Sequence, residues 1–307
     1  MAVQPAPRSL VPSVSRPEAV VDTTTPDGFG PGRVMRKAVF VVTLVAVTAL
    51  FVYPLIWLLS ASLKPPAEVF SSDFIGSEVR WDNYTRLFQM APILTWGWNS
   101  LVVTLLGATA VTFSSAMVAF AFSYFRFRYR DGLFLLVLAT MMLPGAVLMI
   151  PQFLIWDGLG LNNTLYPLWA GNLFGSAFYI FMLRQFLLTL PRELFEAARV
   201  DGAGYFRLWW NIALPLTRSA LIVVFLFELK VLWTDLVRPL IFLRDVQLFT
   251  LPRGLKAIID NPAIGGQQQW ELLAAGSVLV TLPMVVLFFI FQRYFTEGIA
   301  TTGSTGR

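Results

Sequence analysis

The chain contains no cysteine and no histidine. The first absence excludes disulfides and thiolate metal sites. The second removes the commonest metal ligand and the usual general base near neutral pH. Lysine is scarce too: Lys37, Lys64, Lys230 and Lys256 are the full set, and none stands in a glycine-rich phosphate loop. Nucleotide hydrolysis of the P-loop kind is therefore absent from this chain. If ATP drives it, another subunit does the hydrolysis, and no cofactor is expected on the chain itself. Charge as a whole is in deficit, at 13% of residues against roughly a quarter in soluble domains.

Apolar residues take up the difference. They make up 56% of the 307 residues, and the mean hydropathy is +0.67. The composition is that of an integral membrane protein long enough for several spans. Basic residues outnumber acidic ones by 23 to 18, with a pI near 9.7. No basic cluster is combined with an exposed aromatic platform, so nucleic acid is not expected as a partner. Inward-facing basic loops account for the excess.

Six apolar segments are long enough to cross a hydrocarbon core, which takes about 20 helical residues. They lie near 38–62, 101–123, 133–155, 165–187, 220–242 and 272–294. The fold class expected is all-α and integral to the membrane, with six spans in a domain of residues 33–300. Pro144 and Pro151 interrupt the third span and are expected to kink it. Residues 1–32 hold six prolines and no apolar period, and are expected to form a disordered tail. Residues 301–307 form a short carboxyl-terminal tail. With the amino terminus inside, 13 Lys and Arg residues near the spans face inward and seven face outward. That bias places both termini, and the loop between spans four and five, in the cytoplasm.

That loop, about 188–219, is unlike its surroundings. It reads ELFEAARVDGAGYFRLWWNIALPL from Glu193 to Leu216. Pro191 suits the start of a helix, and Glu193 and Glu196 suit its amino-terminal dipole. Leu194, Ala197, Ala198 and Asp201 recur at helical spacing and share one face. Gly202 can take the left-handed conformation that ends a helix. A second short helix then runs from Tyr205 towards Pro215. The pattern alone fits two roles: a surface that another protein approaches over small alanines, or an amphipathic anchor held in the headgroups by Phe195, Trp209 and Trp210.

Residue identity favours the first role. Glu196-Ala197-Ala198, then Asp201-Gly202-Ala203 and Leu214-Pro215-Leu216, resemble the EAA loop of ABC importer permeases. Asn99-Ser100-Leu101, the stretch 141–168, FYIFMLRQF (178–186), WTDLVRPLIFLRD (233–245) and the stretch 274–299 are similar to the carbohydrate-uptake branch. The resemblance covers roughly 38–303 and is to the shorter of the two paralogous permeases of maltose-type systems. Thr234 departs from it, where Asn is usual, as do Thr302 and Thr305 in the tail, where Gly and Lys are usual. The resemblance implies a multi-pass subunit of the bacterial cytoplasmic membrane, not an enzyme, that moves a di- or oligosaccharide. Its implied partners are a paralogous permease, a dimer of cytoplasmic ABC ATPases, an extracellular or lipid-anchored sugar-binding protein, and membrane lipid. It also implies that residues 193–203 dock into an ATPase groove. Import of another solute, such as glycerol phosphate or a peptide, is the alternative within transport; a secondary transporter is a further one. A membrane-embedded enzyme is disfavoured by the missing His and Cys.

Span five carries charges within an otherwise apolar helix: Glu228, near the middle of the bilayer, Lys230 and Asp235, beside Trp233 and Thr234. Isolated charges there cost roughly 3 kcal/mol each. On a continuous helix Glu228 and Asp235, seven residues apart, share a face. Two roles are open: a polar translocation path on which a sugar stacks against Trp233, or a structural pairing with a residue of the partner permease.

Overall fold

The computed structural model describes residues 31–260 and 268–303, with side chains described for 35–260 and 268–292. The proline-rich segment 1–30 and the last residues, 304–307, lie outside the described residues. Every regular element among those described is helical. The chain divides into two compact units, Met1–Pro54 and Leu55–Arg307. Helix α1 (Pro31–Ser62) begins in the first, where it carries exposed apolar side chains such as Phe40 and Phe51, a surface that only lipid or another apolar partner suits. Three helical stretches are long and apolar enough to cross a membrane: Met35–Ser62, Ile93–Tyr124 and Trp270–Gln292, with mean hydropathy 2.6, 1.9 and 2.5. Three more candidates are bent pairs, which brings the number to the six expected.

The second unit is organised around helix α3 (Ile93–Tyr124), which follows the short α2 (Asp82–Met90). Gly107, Ala108, Ser115, Ala116, Ala119 and Ser123 form its buried stripe. Small residues let neighbouring backbones approach where lipid supplies no hydrophobic driving force. A Cβ on Gly107 would lie 2.5 Å from Leu232 Cδ1. One apolar cluster surrounds the amino-terminal half of α3, with Trp96 and Leu87 fully buried, and a second surrounds its carboxyl-terminal half. At the start of α3, Trp96 Nε1 donates to Val246 O (2.7 Å). Asn99 Nδ2 donates to Gln247 O and Phe249 O (2.8 and 3.0 Å), and Leu251 N donates to Ser100 Oγ (2.8 Å). The Asn99-Ser100 pair noticed in the sequence thus fastens a loop some 150 residues away.

The third expected span is more than kinked. It consists of α4 (Arg130–Thr140) and α5 (Gly145–Gly158), bent by 95° at residues 141–144. Pro144 has no N–H to continue the ladder and pushes Leu143 out of the helical region. Pro151 lies within α5 without ending it. Span four is also broken. Tyr166–Trp169 (α6) leads into a tight 3-10 turn at 170–174, and α7 (Ala177–Leu188) begins after Gly175, at φ +80°. Further along, the short loop element at Pro66–Glu68 is pinned by Glu68, which accepts from Ser77 N (2.7 Å) and Ser77 Oγ (2.6 Å). Those bonds hold its carboxyl below the usual range.

Helix α13 (Leu251–Asp260) packs on α3 and on the last helix, Trp270–Gly303. Its Gly254 touches the face of Trp96, and a Cβ there would come within 2.0 Å of the indole ring. The indole is fully buried and hydrogen-bonded, so it has no room to yield. Gly254→Ala is expected to cost about 1–3 kcal/mol by overpacking, read as a lowered thermal midpoint of the purified subunit. An unchanged midpoint would show that the contact is not tight.

Candidate functional site

The polar insert leaves span four and enters span five at steep angles. The run Tyr166–Leu188 meets α8 (Glu193–Val200) at 80°, and the run Tyr205–Leu216 meets α11 (Arg218–Trp233) at 79°. The insert therefore lies across the direction of the spans. Its first helix ends as its sequence suggests. Gly202 sits at φ +82°, its N–H donates to Arg199 O (3.0 Å), and Ala203 N donates to Ala198 O (2.9 Å). These two bonds form a Schellman cap. No atom of the chain lies within 4 Å of a Cβ built on Gly202, so the demand for glycine is conformational. The second part is helical from Tyr205 to Leu216, with a π turn over Trp209–Ala213.

The sequence placed the faces of α8 only in part. Phe195 is 6% exposed, and Ala198 and Ala203 are half-buried against the same apolar cluster. Ala198 therefore faces the protein, because Phe195, three residues before it, takes the inward side of the helix. Glu193, Leu194, Glu196, Ala197, Asp201 and Gly202 are exposed, as is Val200 at 88%. Phe195 seats on the end of α3, with ring centroids 6.2 Å from Phe120 and 5.7 Å from Tyr124. Tyr205 stacks edge-on against Phe125 at 4.9 Å. Arg199 Nη1 donates to the Tyr205 hydroxyl (3.1 Å), and its guanidinium lies 4.9 Å over that ring. Hydrogen bonds with Tyr124 and Tyr205 raise its pKa above the ordinary arginine value. The headgroup-anchor arrangement does not fit. Phe195 and Trp209 point into the protein, and of the three proposed anchors only Trp210 is exposed.

Span five differs from the continuous helix expected. Helix α11 stops at Trp233, and α12 (Val237–Phe242) starts after three intervening residues. Glu228 and Asp235 therefore share no helical face. Asp235 opens α12: its Oδ1 accepts from Val237 N (3.1 Å) and Arg238 N (3.3 Å), and its Oδ2 pairs with Arg238 Nε at 2.5 Å. Trp233 is buried, and its Nε1 donates to Val280 O (2.9 Å), which takes it off any path surface. Lys230 is exposed, and so is Thr234, whose hydroxyl donates to Lys230 O (2.9 Å).

Glu228 finds its partners inside the chain. Asn172 Nδ2 donates to Oε1 (2.6 Å) and the Tyr179 hydroxyl donates to Oε2 (3.1 Å), while Asn172 also reaches Gly107 O (3.2 Å). A pairing with another subunit is therefore not required. Asn172 and Tyr179 were not singled out in the sequence; they lie 56 and 49 residues from Glu228, and no local pattern links them. Among the described residues, no three His, Cys, Asp or Glu side chains are placed to share a metal ion.

Glu228→Leu leaves one N–H of the Asn172 amide and the Tyr179 hydroxyl without their acceptor, at about 1–3 kcal/mol for each group left unpaired. Glu228→Gln should cost less, because its amide oxygen still accepts from Asn172 and the tyrosine can turn to accept. Thermal unfolding in detergent should rank wild type above the Gln variant and the Gln variant above the Leu variant. A Leu variant as stable as wild type would show that the bonds contribute nothing.

Comparison with known proteins places this arrangement. The arabinooligosaccharides transport system permease protein AraQ of Bacillus subtilis is 33% identical over 262 residues, covering 84% of this chain and 92% of that protein. The sn-glycerol-3-phosphate transport system permease protein UgpE of Agrobacterium fabrum is 36% identical over 66% of this chain and 71% of its own length. Among solved structures, a bacterial ABC transporter that imports the acidic polysaccharide alginate shares the fold. Its TM-score is 0.74 at 24% identity, covering 88% of this chain and all of that one. The family model described as "Binding-protein-dependent transport system inner membrane component" matches residues 110–301, which include the insert, the broken spans and Glu228 with its partners Asn172 and Tyr179. The chain is a member of that family: a multi-pass membrane permease subunit of a binding-protein-dependent ABC importer.

Proposed function

We propose that this permease carries a sugar, of di- or oligosaccharide size, through a cavity shared with a paralogous permease. A dimer of cytoplasmic ABC ATPases drives it, and an external or lipid-anchored sugar-binding protein loads it. The observation that carries the coupling part is the two-sided α8. Its inner side is locked to α3 through Phe195, and its outer side offers Glu193, Leu194, Glu196, Ala197, Asp201 and Gly202. In this reading, closure of the ATPases moves α8 as a rigid piece. Phe195 passes the displacement to the end of α3, and α7 passes it to Tyr179 and so to the Glu228 network at the break in span four. Ala198 and Ala203 support the helix from behind.

The sugar assignment leans on AraQ, which the chain matches over nearly its whole length. The glycerol-phosphate relative matches a smaller share. A phosphate-carrying path also wants fixed cations, and Lys230 is the only basic residue between Arg218 and Trp233. Of the five span-five candidates, Lys230 and Thr234 are the ones a solute can reach. Glu228, Trp233 and Asp235 serve as internal supports.

Both termini and the insert are assigned to the cytoplasm. In this cysteine-free chain, Ser72→Cys should react with an impermeant thiol reagent from outside, and Thr189→Cys should not. The reverse labelling would invert the topology.

Coupling has its own test in vesicles containing both permeases, the ATPase and the binding protein. A side chain at Gly202 must adopt a left-handed conformation at about 1–2 kcal/mol, so Gly202→Val should lower uptake and stimulated ATP hydrolysis roughly tenfold. Membrane insertion should be unchanged. Glu196→Ala should be milder, since it removes one charge and leaves the helix. Full uptake by the Gly202→Val complex would refute coupling through α8.

A further inference from the structure

A cleft of about 380 Å³ lies behind α8, between that helix and the ends of α3 and α7. Phe120, Leu187 and Phe195 form its apolar wall. Its rim carries Arg126, Arg192 and Arg199, opposed by one carboxylate, Glu196. Tyr205 engages Arg199 by a hydrogen bond and by its ring face. Arg126 and Arg192 differ: among the described residues neither side chain has a hydrogen bond, ion pair or ring contact. The same two arginines also line a neighbouring cleft together with Arg130, whose charge is met by Asp131 at 3.0 Å.

Three guanidinium groups against one carboxylate leave the cleft with a net positive charge, which a further anion would neutralise. The planar fork of arginine matches phosphate oxygens two at a time. The wall below is apolar and would suit the carbon skeleton of the same ligand. Helix α3 is 32 residues long, about 48 Å, and so outruns a hydrocarbon core of about 30 Å. Its end, where the cleft opens, therefore reaches the headgroup region, where basic pockets between helices attract anionic lipid.

We propose that this cleft binds the phosphate ester of an anionic amphiphile, whose charge bridges Arg126 and Arg192 and ties the turn after α3 to the start of α8. The phosphate comes either from a phospholipid headgroup or from a soluble phosphate compound. Binding needs neither ATP nor transport, so the site stands or falls separately from coupling through α8.

The test uses the assembled complex, transferred into detergent with phosphatidylglycerol or phosphatidylcholine, and counts bound lipid by native mass spectrometry. Wild type should retain phosphatidylglycerol in preference to phosphatidylcholine. Arg126→Gln and Arg192→Gln should each weaken retention about fivefold, and the double variant about 25-fold. Arg128→Gln should retain lipid as wild type does, because Arg128 lies over the Tyr129 ring and outside both clefts. Arg192→Lys should recover part of the loss, which separates charge from folding. Displacement of the lipid by inorganic phosphate keeps the site and assigns it to the soluble source. Equal retention by all arginine variants, or equal retention of phosphatidylcholine, overturns the proposal. So does loss of the ATPase from the variants with lipid binding unchanged, which would make these arginines a protein contact.

Discussion

In a hydrocarbon slab every polar group has to find its partner within the protein, and the broken spans of this permease are built around that requirement. The break in span four frees backbone groups at 172–176. The side chains of α3 meet them: Ser114 Oγ donates to Asn172 O (3.1 Å), and Ser176 N donates to Ser115 Oγ (3.1 Å). Asn172 in turn binds Gly107 O and Glu228. Glu228 is therefore part of the stitching that allows a helix to stop in the membrane. The break in span five is handled in the same way, with Asp235 accepting the first N–H groups of α12 and Arg238 Nη1 reaching back to Leu168 O at 3.4 Å.

This requirement also decides which parts of the molecule could be read from the sequence. The insert was legible because its signals are local. Acids at a helix start, apolar spacing and a glycine four residues after Ala198 act within one or two turns, and Gly202 takes the left-handed conformation that its position demands. The number of candidate spans was legible from apolar length. Their breaks were not, apart from Pro144, because the run 220–242 carries an acid both within the continuous helix (Glu228) and at the break (Asp235), and an acid alone does not mark which one ends it. The break depends on an acid that can cap the next helix and on a carbonyl, Leu168 O, from another span. The inward side of α8 was misjudged at Ala198 for a related reason. Helical spacing shows that a face exists, and which face turns inward is decided by the aromatic socket at Phe120 and Tyr124.

The same bonds would give the coupling proposed above a mechanical route. Phe195 sits on the far end of the helix whose small-residue stripe packs against α7 and α11. Helix α7 carries Tyr179 to Glu228 at one end and leads directly into α8 at the other. A push on the insert thus reaches span two through an aromatic contact and span four through the chain itself. Both routes converge on the Gly107–Asn172–Glu228 stitch, where a Cβ would have no space. Close-packed contacts of this kind shift between discrete arrangements more readily than they deform gradually. In that proposal the break in span four, with its 3-10 turn and left-handed Gly175, is the hinge. In the coupling proposed above, hydrogen bonds to one carboxylate would hold such a hinge at rest and still allow its release.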